Sequence, residues 1–172
     1  LETRLPHFMC TVKIWAILRF GIVGGASVQE YEDNIIKKHE LTRKNKEADR
    51  TRLTDVQGAN VGPVFLAYHA NAEIDAIVST VASRDAHIDV VTEIRFAIDL
   101  ESGIGGVAAL VSHFDVIPHT YIADGHHRSA SAYNVGKIRK ERAGEGVTGE
   151  EDFNYFLAIY NPHSQLHIFD YN

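Results

Sequence analysis

The chain has 172 residues, 45% hydrophobic and 23% charged, which suits one globular domain with a sizeable core. Its formal charge of −6 weighs against a dedicated nucleic-acid binder. Cys10 is the single cysteine, so no internal disulfide can form, and no run reads as a secretory signal or a membrane span; the expected setting is cytoplasmic, away from membranes.

Leu1 stands where a start methionine would, and the strand-like run Ile168-Phe169-Asp170-Tyr171 meets the last residue. The expectation is a single domain over 1–172, or a fragment of a longer protein. Apolar runs over residues 11–24, broken by Lys13 and Arg19, predict two short strands or one bent strand ending at Gly24-Gly25. Ser27 with Glu30 three positions on has capping-box spacing, and Val28, Tyr31, Ile35 and Ile36 suit one face of a helix from 28 to about 40. Thr42 is the expected cap of a second helix over 43–57. That segment is mostly charged, so it reads as a wet helix, or as one covered by a ligand or by further chain. After a loop at 58–62, residues 64–68 predict a strand, and Asn71 caps a helix to about Arg84.

Residues 90–100 read as extended chain, and Ser102 precedes a helix over 103–114. Pro118 leads into a strand at 119–123, and the helix after Gly125 runs to about Arg142, weakened at Gly136 by about 1 kcal/mol. Residues 153–160 and 166–171 predict an antiparallel hairpin around a turn at 161–165. Helices and strands alternate without a regular βαβ repeat, which favours an α+β domain with a mixed β-sheet and surrounding helices. Gly21, Gly24 and Gly25 lack dinucleotide-fingerprint spacing, and no P-loop lysine pair is present.

The most informative segment is Asp124-Gly125-His126-His127-Arg128. It turns an apolar strand into a small-residue helix, a corner that can hold an anion on first-turn amides. Arg128 can add a bidentate contact to phosphate, and Asp124 can take a proton, orient a histidine or hold a cation. The two histidines can donate, accept or ligate, but adjacent residues do not share one helical face. The plain alternative is that Asp124 caps the helix and both imidazoles bond backbone. A zinc-hydrolase histidine spacing is absent, so a metal is left undefined.

A second constellation is Lys37-Lys38-His39-Glu40-Leu41-Thr42-Arg43, between two predicted helices. His39 and Glu40 can join a site only through loop geometry, while Lys37, Lys38 and Arg43 can offset nucleotide charge. Its plain alternative is a solvated basic turn. His113 and Asp115 read as surface groups, His163 and His167 as structural or exposed, and Cys10 as an incidental thiol. Asp152 and Asn154 are weaker cleft candidates.

Together these stretches resemble the DUF1015 family of bacteria and archaea. The resemblance rests on Gly21-Ile22-Val23-Gly24, on residues 31–33 and 37–43, on Lys46-Glu47-Ala48-Asp49-Arg50, on Gly62 to Leu66, on residues 153–157 and 170–172, and most strongly on Ile122 to Arg128. A wider similarity, to the ParB/sulfiredoxin-like superfamily with its free-serine kinases and nucleotide-hydrolysing partition proteins, implies a core of that type. It implies Gly125, His126, His127 and Arg128 as a phosphate-binding corner, with Asp124, His126 and Glu40 as catalytic groups. Lys38, His39, Thr42 and Arg43 would complete the substrate pocket. Sulfiredoxins carry a cysteine at the related corner; none lies between Asp124 and Arg128, which argues against sulfinic-acid reduction.

The implied activity is phosphoryl transfer from a nucleoside phosphate, accompanied by Mg2+, to a small hydroxylated metabolite such as serine. The alternatives are a nucleotide- or anion-binding module without turnover, or a structural domain. Oligomeric state is left open.

Overall fold

The computed structural model describes residues 8–14, 17–83, 88–91, 95–100 and 104–166, and the account below concerns these residues. Strands β1 (Phe8–Ile14) and β2 (Ile17–Ser27) form an antiparallel hairpin. A short helix α1 (Val28–Glu32) and a two-residue strand β3 (Ile36–Lys37) follow. Next come α2 (Lys44–Gln57), β4 (Val64–Tyr68), α3 (Ala72–Ala82), β5 (Ile88–Val91), β6 (Arg95–Leu100) and α4 (Ile104–Phe114). The chain continues through β7 (Thr120–Asp124), α5 (His126–Ala143) and β8 (Tyr155–Pro162).

The eight strands form one sheet in the order β3-β7-β4-β8-β2-β1-β6-β5. β3 pairs with β7 and β4 with β8 in parallel; the other neighbours are antiparallel. This is the mixed-sheet α+β architecture that the irregular alternation of elements predicts. β8 alternates buried Phe156, Ala158 and Tyr160 with half-buried neighbours, the period of a strand with one face under helices. Phe114 of α4 stands between Tyr68 and Tyr160, with ring centroids 5.0 and 5.5 Å away, and all three are 2% exposed or less. Each such ring contributes about 1.5–3 kcal/mol by leaving water. Ile22, Leu66, Ile74, Ile122 and Ala130 join the same cluster, so strands and helices share one core.

Two predicted elements differ from the observed ones in ways that shape the site. Ser27 caps α1 by accepting from the Glu30 amide, as the spacing requires, but the helix ends at Glu32 and does not reach 40. Asn34 adopts the left-handed conformation at φ 57°, and Ile36 enters the sheet opposite Thr120, 1% exposed. Sheet pairing and burial of Ile36 outweigh the helical period. The second difference concerns Asn161 and Pro162. They belong to β8 beside Ala67 and Tyr68, not to a turn. Residues 167–172, which carry His167 and most of the predicted last strand, lie outside the described residues.

α2 is the wet helix its composition predicts, with Thr51 alone buried. Polar contacts attach it to α5. Asp55 accepts from Arg139 Nε at 3.2 Å and from Arg142 Nη1 at 2.9 Å, and its carbonyl accepts from Arg139 Nη2 at 2.8 Å. Gly136, mid-helix in α5, is needed for close packing: a Cβ there would lie 2.9 Å from the Phe153 carbonyl oxygen and 3.3 Å from Val28 Cγ1. Gly136→Ala gains about 1 kcal/mol of helix propensity and meets overpacking of about 1–3 kcal/mol. The expected outcome is a net loss of stability, read as a lower denaturant midpoint at unchanged slope.

Candidate functional site

Local backbone irregularities set up the corner. Along the β4–β7 ladder the register shifts, so that Leu66 faces Ile122 while Phe65 faces Asp124. Ala123 is the extra residue, and such bulges turn the end of a strand and re-aim its side chains. Gly125 then takes φ 100°, ψ 27°, and α5 begins at His126. A Cβ on Gly125 would lie 3.2 Å from Arg128 Nε and 3.3 Å from Val64 Cα; one on Gly62, at φ 80°, would lie 3.1 Å from Arg128 Nη1. The two glycines therefore shape a slot for one guanidinium. Arg128 lies in it, donating to the Pro63 carbonyl and to Asp124 Oδ2.

With glycine as its cap residue, α5 has no side-chain cap. The Arg128 and Ser129 amides both donate to the Gly125 carbonyl, at 2.9 and 3.0 Å. His126 and His127 start the helix, and amides at those positions have no carbonyl one turn back to reach. The donors offered at this helix start are thus the amides of residues 126 and 127, since those of Arg128 and Ser129 are taken by the Gly125 carbonyl.

Both histidines reach the same loop, residues 38–43, although they are adjacent on a helix. His126 Nε2 lies 3.5 Å from the His39 amide, and His127 Nε2 accepts from the Arg43 amide at 3.2 Å. The loop wraps the start of α5, so side chains that diverge still find partners on it. His126 is 5% exposed. Burial first, and then the neighbouring His39 imidazole, hold it below the ordinary histidine range, with Glu40 and Asp124 pulling the other way. Glu40 Oε2 lies 3.7 Å from His126 Nδ1.

These groups line a cleft of about 600 Å³ together with Glu40, Lys46, Asp49, Arg50 and Val61, and the whole of 124–128 contributes to the lining. Asp124, Gly125, His126, His127, Arg128 and Glu40 are brought together there. His39 contacts the cluster edge-on, its ring 4.4 Å from that of His126. Lys38 is directed elsewhere, its Nζ 3.8 Å from the Tyr31 ring centroid. Thr42 is not the cap of α2, which is Arg43; its hydroxyl donates instead to Glu47. Asn154 bonds Glu151, and neither it nor Asp152 is among the residues lining the cleft. A second groove, about 530 Å³, lies along the C-terminal half of α5. There Glu32 accepts from the Tyr133 hydroxyl and Lys137 lies over the Tyr133 ring, so its polar groups serve each other.

Sequence reasoning gave no site role to three residues, although the stretch Lys46 to Arg50 carries part of the family resemblance. Glu47 ties the loop to both helices, accepting from Thr42 Oγ1 and, at 2.7 Å, from Asn134 Nδ2. Lys46 and Arg50, one helical turn apart, face the cleft. Asp49 pairs with Arg52 and Asp124 with Arg128, whereas neither Lys46 nor Arg50 has an ion-pair partner among the described residues. The signal along the chain is the repulsive i,i+4 pair Lys46/Arg50, which destabilises a helix and fits the reading of this segment as one covered by a ligand or by further chain.

The residues lining this cleft include the uncapped helix start, Arg128, Lys46 and Arg50, which is donor and cation chemistry of the kind a phosphate group takes. A protein cage for Mg2+ does not fit. Among the described residues the one group of three potential ligands is His39, Glu40 and His126, and two imidazoles are poor partners for an ion that wants oxygen.

The Thr42 hydroxyl first, then the Asn134 amide, holds the Glu47 carboxyl below the ordinary glutamate range; His127 and Lys44 pull the same way and desolvation opposes them. Its folded-state pKa is the lower one, so its contribution to stability is full above the unfolded value of about 4.3 and is lost as pH falls through the folded value. Glu47→Gln should flatten the acid limb of the stability–pH curve; an unchanged slope would remove Glu47 from this role. Gly125→Ala forces a side chain into φ 100° against Val64 and should cost about 1–3 kcal/mol in a chemical denaturation series.

No helix among the described residues is long and apolar enough to cross a membrane. Compared with known proteins, the chain matches no curated protein and no solved structure. A family model described as protein of unknown function (DUF1015) matches residues 8–172. That match takes in both strands of the hairpin, the 38–43 loop and the whole corner at 124–128, and the chain belongs to the DUF1015 family.

Proposed function

We propose that the cleft at the start of α5 binds a nucleoside phosphate and transfers its terminal phosphoryl group to a small hydroxylated acceptor. The observation that carries this reading is the convergence, on one cleft of about 600 Å³, of an uncapped helix start, a guanidinium held in a glycine slot and a carboxylate on an opposed loop. In phosphoryl transfer the protein mainly positions groups and stabilises charge spread over equatorial oxygens. The amides of residues 126 and 127 hold the phosphate, and Lys46 and Arg50 offset its charge from α2.

Asp124 and Glu40 take different parts. Asp124 is engaged by Arg128, so it orients the guanidinium. Glu40, 63% exposed and beside His126, is the available base. It accepts the proton of the acceptor hydroxyl as the new oxygen–phosphorus bond forms and the bond to the leaving nucleotide breaks. A neutral His126 keeps the Glu40 loop fastened across the helix start. The bound nucleotide supplies the phosphoryl group; serine is one acceptor of the right chemistry.

A second reading, an anion-binding module without turnover, draws on the pairing of Arg128 with Asp124, which neutralises the arginine of the corner itself. One assay separates the two. The protein is incubated with nucleotide, Mg2+ and a panel of small hydroxylated acceptors, and product is followed by phosphorus NMR. Acceptor-dependent phosphoryl transfer is expected. Glu40→Gln should lower kcat by about 10²–10⁴-fold with nucleotide affinity little changed, and Arg128→Ala should weaken nucleotide binding by about tenfold or more. Nucleotide bound without product across the panel would favour the module; no calorimetric binding of any nucleotide would dismiss both.

A further inference from the structure

We propose that His39, Glu40 and His126 form a binding site for a divalent transition ion of the Zn2+ class. Each side chain offers one ligand atom, and the three atoms lie within 4.8 Å of one another. Glu40 Oε2 is 3.7 Å from His126 Nδ1, and Glu40 Oε1 is 4.0 Å from His39 Nε2. Ligand atoms bonded to a tetrahedral Zn2+ stand about 3.4 Å apart, so a set that spans up to 4.8 Å has to draw in by as much as about 1.4 Å. The means of closing it is local. His126 is buried and fixed on α5, while the side chains of His39 and Glu40 are 59% and 63% exposed on the loop. Two adjustable ligands close on one rigid ligand.

The donor chemistry selects the ion. Two imidazole nitrogens and one carboxylate oxygen suit Zn2+ and neighbouring first-row ions, whereas Mg2+ and Ca2+ take oxygen. Three protein ligands leave a coordination position for water on the cleft side, where Glu40 and His126 both contribute to the lining. Uptake at Nδ1 moves the His126 ring proton to Nε2 and ends acceptance from the His39 amide. That contact, at 3.5 Å, is at the outer edge of hydrogen-bond range and is weak to begin with. The site goes beyond the phosphoryl reading and competes with part of it, because an ion on Glu40 removes the carboxylate proposed as base.

The test needs no nucleotide, so it stands apart from the outcome of the phosphoryl assay. The full chain, stripped with chelator, is titrated with Zn2+ against a chromophoric competitor and with Co2+ while visible absorption is recorded. Co2+ should produce the d–d bands of a four- or five-coordinate site. Glu40→Gln and His39→Ala should each weaken Zn2+ binding by at least about tenfold, while His69→Ala, outside the cluster, leaves it unchanged. Both informative substitutions lie on exposed loop positions, and metal-free unfolding curves of the variants should overlay that of the parent. Zn2+ affinity in Glu40→Gln and His39→Ala within about twofold of the parent, or Mg2+ binding as tight as Zn2+, would overturn the proposal.

Discussion

Everything at the cleft depends on the absence of a side chain at residue 125. A Cβ there would press on the backbone of β4 at Val64 and on the guanidinium of Arg128 together. With glycine, the chain leaves β7 through the left-handed region and starts α5 within one residue, so Arg128 can fold back onto Asp124 and the Pro63 carbonyl. The same sharp corner leaves the first helical amides without a side-chain cap. Close approach and uncapped donors are two consequences of one backbone conformation.

The loop that completes the cleft is held by polar contacts rather than by a core of its own. His126 and His127 receive the amides at its two ends, and Glu47 receives Thr42. α2, which follows, is fastened to α5 at both ends, through Glu47 and Asn134 near its start and Asp55 with Arg139 and Arg142 near its finish. Polar attachments of this kind respond to protonation and to bound ions more than apolar packing does. The two roles proposed for Glu40, base or metal ligand, exclude each other, because each uses the same carboxylate. Ser129 and Ser131, fully buried on α5, bond back to first-turn carbonyls, which lets the helix pack closely without unsatisfied hydroxyls.

The DUF1015 family match over residues 8–172 takes in both the corner and the loop motif, and it leaves the chemistry to be argued from geometry. The geometry sorts the charged groups by commitment. Asp124, Asp49 and Asp55 are engaged by arginines, so the groups facing the cleft with capacity to act are Glu40, Lys46, Arg50 and the helix amides. The phosphoryl-transfer site we propose rests on that sorting rather than on the number of charged residues present.

The sequence by itself determined the elements whose signals are local. Ser27 and Asn71 cap helices because a side-chain oxygen three residues before an amide needs no distant partner. The wet character of α2, the strand at 64–68 and the strand–glycine–helix corner were legible for the same reason. Tertiary structure alone decided where α1 stops, since Ile36 left a helical period to pair with Thr120, and that pairing carries residues 38–43 across α5. It also decided that two adjacent histidines serve one loop, that Lys38 turns to Tyr31 while Lys46 and Arg50 take the cleft, and that Arg128 is shared between Asp124 and Pro63. The histidine–loop contacts and the Arg128–Pro63 contact join residues more than sixty positions apart, and no spacing along the chain encodes which of several possible partners a long polar side chain will meet.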